Sequence, residues 1–332
     1  MMAALVLGYR DVTDLLDMEG LVPRMAGALR ALSRGEATMP PRQVMAHPGQ
    51  EGLIAWMPAV LGGLEPFGSK VISVYPKNRL RGLHTHQGAV LLFAADTGEV
   101  RAIVDADALT ARRTAAVSAL ATDLLAPRDA AELTLLGSGT QAETHLEAML
   151  SVRPVVRVRV HSRSLKHAEE FARRMGERFG IAVEALADAR AAVEGADIVC
   201  TLTEARAPVL EGLWLKPGVH VNAVGASVRG YRELDDEAVR RARLYVDSIP
   251  HALAQADDIL LPLAAGVIPQ GHILGEIGGV AGGEVAGRAS LDDLTLFKSV
   301  GLAVEDLAAA AYCLERAQAL GRGTPVDMGA GR

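Results

Sequence analysis

The residues with the most recognisable chemistry lie near position 137, where an apolar run gives way to closely spaced glycines. The run Leu133–Leu136 is typical of a buried strand, and Ala142–Leu150 has a helical pattern. Between them stands Gly137-Ser138-Gly139-Thr140-Gln141-Ala142. This spacing is typical of a turn that binds a dinucleotide pyrophosphate, because glycines permit the tight turn and the approach of phosphate. On this motif alone, an ordinary strand–helix turn remains the alternative.

A second predicted strand, Val155–Val160, indicates which dinucleotide is favoured. Ser162, Arg163 and Ser164 follow it, about twenty residues after the glycine turn, where such folds contact the adenosine ribose. A carboxylate there would accept hydrogen bonds from a ribose 2′-hydroxyl, whereas a 2′-phosphate needs cations and donors. The sequence therefore favours NADPH, with NADH possible. The alternative is that Arg163 is a solvated loop arginine.

A group of cationic and polar residues in the first third of the chain has the chemistry to bind a carboxylate. These candidates are Arg42, Lys70, Thr85, His86 and Arg113. An arginine fork pairs with a carboxylate through two hydrogen bonds, and a lysine adds a second charge. Each one alone is more often a surface charge. Arg113 is the exception, because it opens a run of small apolar residues and a cation in packed surroundings needs an anionic partner.

Short apolar runs without intervening helices predict an antiparallel or mixed sheet in the first part of the chain. The predicted strands are Gln43–Ala46, Leu53–Met57, Lys70–Tyr75, Ala89–Ala94 and Glu99–Val104. An amphipathic helical pattern over Val12–Leu32 precedes them, and a helix over Leu109–Ala126 follows them.

After position 130 the pattern changes to strands that alternate with helices, which predicts a doubly wound parallel sheet. Further short strands are expected over Asp197–Leu202, Val219–Val224 and Leu244–Val246. We expect Phe297–Leu320 to form a long helix that returns to the first domain, and Gly275–Gly287 to be a mobile loop. The predicted fold class is α/β, with a Rossmann-type doubly wound domain and a separate α+β domain.

Length and composition fit two domains and exclude several classes of function. The chain has 332 residues, of which 50% are apolar and only 4% aromatic, as helix-covered parallel sheets require. A net charge of −6, without a basic run, argues against a nucleic-acid partner. Two isolated cysteines predict neither a disulfide framework nor a metal site. Since neither a membrane span nor a signal-peptide pattern is apparent, we expect a cytoplasmic protein without a membrane partner.

Five motifs in register make the chain resemble the ornithine cyclodeaminase/mu-crystallin family over nearly its whole length. They are Arg113-Thr114-Ala115-Ala116 with Ser118-Ala119, the glycine turn 137–142, Asn222-Ala223-Val224-Gly225-Ala226-Ser227, Arg232-Glu233-Leu234-Asp235 and Phe297-Lys298-Ser299-Val300-Gly301. The resemblance implies a substrate-binding and dimerisation domain formed by residues 1–125 and 303–332, around a Rossmann domain at 126–302. It also implies a homodimer built through the sheets of the first domains.

The resemblance also assigns roles to residues. Arg42, Lys70 and Arg113 would hold the substrate carboxylate, with Thr85 beside them. Val224, Lys298, Ser299 and Val300 would line the nicotinamide.

Two departures from the cyclodeaminase pattern decide which branch of the family the chain resembles. Cyclodeaminases carry a glutamate where Ala55 stands and an aspartate where Ser227 stands. Oxidising an amino acid requires a base that removes ammonium protons, whereas a preformed iminium needs only a hydride and the control of one proton. The chain therefore resembles the ketimine reductase branch more closely.

The expected activity is the NAD(P)H-dependent reduction of a small cyclic imino acid, such as Δ1-pyrroline-2-carboxylate or Δ1-piperideine-2-carboxylate, to the L-amino acid. Lys70, Ser227 and His86 are the candidate catalytic residues: Ser227 for hydrogen bonding to the imine nitrogen or a water, and His86 as a proton relay. A structural hydrogen bond is the alternative for His86. The alternative functions are an open-chain imine reductase or amino-acid dehydrogenase, an ornithine cyclodeaminase and a non-catalytic NADPH-binding protein.

Overall fold

The computed structural model describes residues 3–49, 51–62 and 67–328. The chain divides into two compact units, Met1–Thr114 with Leu302–Arg332 and Ala115–Gly301. The first boundary lies inside a continuous helix, Ala106–Leu125, and not at the end of that helix.

The elements in chain order alternate irregularly in the first unit and regularly in the second. Up to Leu125 they are β1 (Ala4–Leu7), α1 (Tyr9–Leu15), α2 (Met18–Ser33), β2 (Gln43–Ala46), β3 (Leu53–Val60), β4 (Phe67–Val74), a 3₁₀ turn (Pro76–Arg81), β5 (His86–Phe93), β6 (Val100–Asp105) and α3 (Ala106–Leu125). Then follow β7 (Glu132–Leu136), α4 (Thr140–Val152), β8 (Arg157–His161), α5 (Leu165–Phe179), β9 (Ala182–Leu186), α6 (Ala189–Val193), β10 (Ile198–Thr201), a 3₁₀ turn (Gly212–Trp214) and β11 (His220–Ala223). The remainder are α7 (Asp236–Arg241), β12 (Arg243–Val246), α8 (Ile249–Gln255), α9 (Asp257–Ala264), β13 (Ile273–Glu276), α10 (Ile277–Gly282), β14 (Thr295–Lys298), α11 (Ala303–Leu320) and β15 (Thr324–Val326).

The first unit is built on a mixed sheet, which in the described residues has seven strands in the order β15-β1-β6-β5-β4-β3-β2. The neighbours from β2 to β6 pair antiparallel, and β1 pairs with β6 in parallel. Residues of β3 alternate in burial: Ala55, Met57 and Ala59 are buried, while Ile54 and Trp56 are exposed. The alternation follows from the two-residue period of a strand, and it separates a core face from an outer face.

Helix α11 packs on the core face of this sheet. A Cβ on Gly68 of β4 would approach a methyl group of Leu307 to 3.3 Å, so helix and strand are in close contact. Eleven of its first twelve residues, including Glu305 and Asp306, are buried, which a solvent-facing helix does not show. The last helix of the chain is therefore a core element of the first unit.

The second unit is built on a parallel sheet, whose described strands follow the order β13-β12-β14-β11-β10-β7-β8-β9. All its strand pairs are parallel. Strand β7 is the first strand of this sheet in the sequence. Strands β8 and β9 lie on one side of β7, and the chain then crosses to β10 on its other side, where the remaining strands follow. In such sheets the crevice at the carboxyl ends of the two strands flanking this reversal is the usual place for a ligand. The loops after β7 and β10 therefore position the candidate site of this unit.

Three sequence predictions about elements need correction. Phe297 and Lys298 end strand β14, and the helix begins only at Ala303, because an apolar run by itself does not distinguish a buried strand from a helix. Gly275–Gly287 is not simply a loop, since it contains the end of β13 and helix α10. The pattern over 12–32 forms two helices, because Asp17 caps a new helix by accepting a hydrogen bond from the amide of Gly20 at 2.7 Å.

Within the described ranges, helices that are long and apolar enough to cross a membrane do not occur.

Candidate active site

Four charged side chains form a buried cluster in the first unit. The carboxylate of Asp306 lies 2.7 Å from the Lys70 ammonium and 2.8 Å from Nε of Arg113. A second carboxylate, Glu305, accepts from Nη1 of Arg113 at 2.7 Å. All four residues are nearly inaccessible to solvent, at 4% exposure or less. Charges this deeply buried are tolerated only when they are paired, and here each cation has a carboxylate partner.

The elements around the cluster explain why these side chains meet. Lys70 lies on the core face of β4, and its partners on the neighbouring strands are the buried apolar residues Met57 and Val90. Glu305 and Asp306 belong to the first turn of α11, where the helix dipole favours negative charge. Glu305 also accepts a hydrogen bond from the amide of Leu302 and so caps the helix.

Sequence reasoning missed Glu305 and Asp306, although it required an anionic partner for Arg113. The available signal was an acidic pair at the start of an apolar helical pattern, which ordinarily means only a favourable helix N-terminus. Nothing in a single sequence distinguishes that role from a salt bridge to residues nearly two hundred positions earlier. The structure shows that both roles are filled.

Lys70 differs electrostatically from an ordinary lysine. The pKa of its ammonium is lowered to about 8, chiefly by burial and to a smaller extent by the charges of Arg113 and Arg42, while Asp306 opposes this shift. Burial raises the pKa of Asp306, but the Arg113 and Lys70 charges outweigh this effect and hold it below its usual value. At neutral pH a largely charged Lys70 therefore faces an ionised Asp306, and a modest rise in pH removes the lysine charge.

The other predicted residues of the first unit lie at strand ends. Arg42 is half-buried just before β2, and its charge acts on Lys70. Thr85 and His86 are half-buried at the start of β5, with 3.1 Å between the Thr85 hydroxyl and Nδ1 of His86. Ala55 is buried on the core face of β3, the face that also carries Met57 beside Lys70.

In the second unit, the glycine turn has the geometry that a dinucleotide pyrophosphate requires. Gly137 adopts a φ of +124°, and a Cβ there would lie 2.8 Å from the carbonyl oxygen of Leu202 after β10. A Cβ on Gly139, by contrast, would meet nothing within 4 Å, so open space lies beside the N-terminus of α4. Ala142 is fully buried where helix and strand pack. The residues present therefore fit a dinucleotide, whose phosphates would lie against Gly137–Ala142 at the helix N-terminus.

A buried histidine behind this turn was not predicted from the sequence. Nδ1 of His145 lies 2.8 Å from the carbonyl oxygen of Gln141, and Nε2 lies 2.9 Å from the hydroxyl of Ser118. Burial lowers the pKa of His145 to about 4, so the ring is neutral near pH 7. Since the Gln141 carbonyl can only accept, Nδ1 carries the proton and Nε2 accepts from Ser118. This connects the phosphate turn to α3.

The three residues after β8 are accessible. Ser162 and Ser164 are half-buried, and Ser164 caps α5 by accepting from the amide of His167. Arg163 is exposed and pairs with none of the carboxylates in the described part of the chain. Its guanidinium is thus available for an anion, as the prediction of a 2′-phosphate contact requires.

The predicted nicotinamide residues are held by buried carboxylates. Lys298 is fully buried, with its ammonium 2.9 Å from Asp258, so its side chain is directed into the protein and only its backbone remains for a cofactor. Asp247 accepts hydrogen bonds from the amides of Val300 and Gly301 and from the Ser299 hydroxyl. The loop after β14 is therefore fixed by Asp247, a residue that sequence reasoning did not single out.

The loop after β11 carries the remaining predicted residues, Val224 and Ser227. Val224 is buried and Ser227 half-buried, in a segment that follows directly from the carboxyl end of the strand. The carboxyl ends of β7, β8, β11 and β14 thus carry all of the predicted cofactor residues, on one edge of one sheet.

The chain belongs to the ornithine cyclodeaminase/mu-crystallin family, whose sequence profile matches residues 2–321. It is 38% identical to the ketimine reductase mu-crystallin of Mus musculus over 309 residues, which are 92% of this chain and 94% of that protein.

Two solved structures are close in both fold and length. The Δ1-pyrroline-2-carboxylate reductase of Thermococcus litoralis, in complex with NADH and L-proline, is 37% identical with a TM-score of 0.93, covering 97% of this chain and all (100%) of that one. A dimer of an archaeal alanine dehydrogenase with bound NAD is 31% identical with a TM-score of 0.92, covering 98% and 100%. The predicted family and fold class are confirmed.

The lowered pKa of Lys70 generates a prediction about pH. If Lys70 binds a substrate carboxylate, kcat/KM for an imino acid should fall about tenfold per pH unit above pH 8, since this parameter reports groups of the free enzyme. In Lys70→Arg the guanidinium stays charged throughout, so this alkaline decline should disappear even if the absolute rate is lower.

The measurement is a pH profile of kcat/KM for both proteins with the same imine. Ionisation of the substrate itself is common to the two profiles, so their difference isolates Lys70. Identical alkaline limbs would show that Lys70 does not set the pH dependence.

Proposed function

We propose that this protein reduces a small cyclic imino acid, such as Δ1-pyrroline-2-carboxylate or Δ1-piperideine-2-carboxylate, to the L-amino acid with NAD(P)H. The observation that carries the proposal is the buried pair of Lys70 and Arg113, both bound by Asp306, with Lys70 on a sheet face where its neighbours are apolar. Such a site recognises a carboxylate attached to an apolar ring. The names of the mouse and Thermococcus litoralis relatives support the same reaction.

The binding step falls to the cations of the first unit. Arg113 holds the substrate carboxylate through guanidinium N–H groups, and Lys70 and Arg42 contribute charge. Asp306 and Glu305 fix the orientation of Arg113, so the carboxylate meets a prearranged donor. Thr85 lies at the start of β5 and adds a hydroxyl.

The reaction needs few proton-transferring groups, because the imine nitrogen of the substrate is already protonated. When bound, the nicotinamide supplies a hydride for C2 of the imine. The C=N double bond becomes a single bond with one new C–H bond, and the nitrogen keeps its proton, which leaves a neutral amine that takes one further proton. Ser227 hydrogen-bonds to the nitrogen or to a water, and Lys70 or His86 supplies that further proton. A lysine with a pKa of about 8 is suited to this exchange near neutral pH.

The test compares two substrates. Purified protein with NADPH should consume Δ1-pyrroline-2-carboxylate or Δ1-piperideine-2-carboxylate, while ornithine should give neither proline nor ammonia. Cyclodeamination needs additional proton transfers, each of which normally depends on a placed acid or base worth about 10²–10⁴ in rate. Ala55 and Ser227 stand where cyclodeaminases carry these carboxylates.

Ser227→Asp provides a matched variant for this experiment. It should still fail to cyclise ornithine, because Ala55 leaves the distal amine without a partner. Robust formation of proline and ammonia by the wild-type protein would overturn the assignment. Binding of NADPH without turnover of any imine would favour a ligand-binding protein instead.

An open-chain imino acid is the second candidate substrate. The similarity to an archaeal alanine dehydrogenase favours it, since that protein shares the fold over nearly its whole length. The anchoring of a carboxylate by Lys70 and Arg113 is the same for both substrates. Reductive amination of pyruvate with ammonia, assayed beside the cyclic imines, separates the two.

We propose NADPH as the preferred cofactor, with Arg163 as its 2′-phosphate partner. The exposed guanidinium lies just after β8, where Ser162 and Ser164 add hydroxyl groups. Arg163→Ala should weaken NADPH binding about ten- to a hundredfold, since a charge-assisted contact is worth roughly 1.5–3 kcal/mol. NADH binding should change little.

The measurement is cofactor fluorescence titration of the wild type and the variant. Arg173→Ala is the matched control, because Arg173 is an exposed arginine of the adjacent helix α5 that pairs with Glu177. It should leave both affinities unchanged. Equal affinities of the wild type for NADPH and NADH would contradict the proposal.

We propose that the protein is a homodimer that buries the outer face of the first unit's sheet. Trp56 is 44% exposed and Met45 68% exposed, and with Ile54 they form an apolar strip on β2 and β3. Exposed apolar strips of this kind mark contact surfaces. The dimeric archaeal neighbour supports this assembly.

A charge in the strip tests the dimer. Trp56→Glu should convert the dimer to a monomer in light scattering, because a buried carboxylate without a partner is strongly unfavourable at an interface. Leu213→Glu is the control, since Leu213 is an exposed leucine of the second unit. A wild-type protein that is monomeric at micromolar concentration would rule the proposal out.

A further inference from the structure

Glu233 is a fully buried carboxylate that the reaction described above does not use. Its Oε1 accepts hydrogen bonds from the amide and the hydroxyl of Thr203, at 2.6 and 2.8 Å. Its Oε2 accepts from the Thr201 hydroxyl and from the amides of Gly225 and Ala226, at 2.7, 2.8 and 3.2 Å. The three backbone amides among these partners can only donate and they face both oxygens, which favours an acceptor on each oxygen, as in the ionised carboxylate.

These hydrogen bonds join the ends of two neighbouring strands of the parallel sheet. Thr201 ends β10 and Thr203 follows it, while Gly225 and Ala226 follow β11. Gly225 is indispensable to this arrangement, because a Cβ there would lie 2.1 Å from the Thr203 carbonyl oxygen and 2.6 Å from Glu233. The carboxylate therefore fixes the backbone of the segment that leads into Ser227.

Other charges hold Glu233 in turn. Asp258 accepts from the amides of Glu233 and Leu234, and its second oxygen lies 2.9 Å from the Lys298 ammonium. The positive charge of Lys298 thus compensates a buried pair of carboxylates. Burial raises the pKa of Glu233 above its usual value and the Asp258 charge adds to this effect, while the Lys298 charge and the hydrogen bonds oppose it. The network spans the loops after β10, β11 and β14.

We infer that Glu233 is a positioning residue for hydride transfer: it sets the course of the loop Val224–Ser227, which carries Ser227 towards the reacting nitrogen. The inference rests on the proposed reductase function. Glu233 itself contacts neither substrate nor cofactor in this arrangement. It acts through the backbone amides of Gly225 and Ala226, which donate hydrogen bonds to it.

A glutamine cannot replace this carboxylate. Whichever way the amide is oriented, its NH₂ group would face at least one backbone amide, either that of Thr203 or those of Gly225 and Ala226. Donor would then face donor in a buried site, and the loop would have to move. Glu233→Gln is therefore a nearly isosteric change that removes the positioning function.

The experiment compares Glu233→Gln with Asp197→Asn in the full-length protein. Asp197 lies just before strand β10, at the opposite edge of the same sheet, and accepts from the amides of Ala131 and Glu132. In both variants an amide side chain therefore replaces a carboxylate that accepts from backbone amides. Three quantities are measured: kcat with a cyclic imine, the dissociation constant of NADPH, and amide hydrogen exchange over 222–228.

Glu233→Gln should lower kcat about ten- to a hundredfold, since an ångström of misplacement can cost on the order of 10²-fold. Its NADPH affinity should stay near the wild-type value, because the phosphate turn 137–142 is untouched. Exchange should rise in 222–228 and not in the glycine turn. Asp197→Asn should retain wild-type kcat and wild-type exchange in 222–228.

A wild-type kcat in Glu233→Gln, or unchanged exchange in 222–228, overturns the inference. If Glu233→Gln does not fold, Thr201→Val, which removes a single donor, should show the same rise in exchange and a smaller loss of kcat; no change in either overturns it. If the wild-type protein reduces no imine, the proposed function fails, while the exchange data still decide whether Glu233 holds the loop.

Discussion

The carboxylate of Asp306 bridges two buried cations, and the architecture of the first unit depends on that interaction. Without Asp306, Lys70 would lose the carboxylate that it pairs with and Arg113 would keep only Glu305, and desolvation of an unpaired cation is unfavourable by several kcal/mol. The carboxylates that pair with them come from the first turn of the last long helix. The first unit is therefore complete only when the chain returns to it after residue 301, and the second unit is an insertion within it.

The same constraint shapes the second unit, but there the carboxylates serve backbone amides. Loops at the carboxyl edge of a parallel sheet carry donors that no further strand pairs with, and buried donors must be satisfied. Glu233 satisfies amides after β10 and β11, and Asp247 satisfies those of Val300 and Gly301. Each loop is therefore held through hydrogen bonds from its own backbone amides. Buried acids thus give these loops a fixed shape without occupying the site.

Local patterns predict much of this structure, and contacts between distant residues mark where prediction stops. The glycine turn and strands β2 to β8 follow from short-range periodicity, and the family resemblance supplies Lys70 and Arg113. The apolar run beginning at Phe297 was misassigned, since four buried residues fit a strand and a helix equally well. Asp306 and Glu233 are ordinary acidic residues in the sequence. Their importance comes from burial beside partners far along the chain, which no local pattern encodes.

In the proposed reductase, the charge balance of the first unit's cluster restricts the substrate that it can recognise. Lys70 and Arg113 are already matched by Asp306 and Glu305, so a substrate carboxylate adds a negative charge to a balanced site. The positive charge of Arg42 also acts on this cluster and lowers the pKa of Lys70. A bound carboxylate relieves this repulsion and raises the Lys70 pKa, so binding and protonation are coupled. A substrate with one carboxylate and no charged group beyond the imine nitrogen suits these residues better than a diamine, whose distal ammonium would lie among apolar side chains.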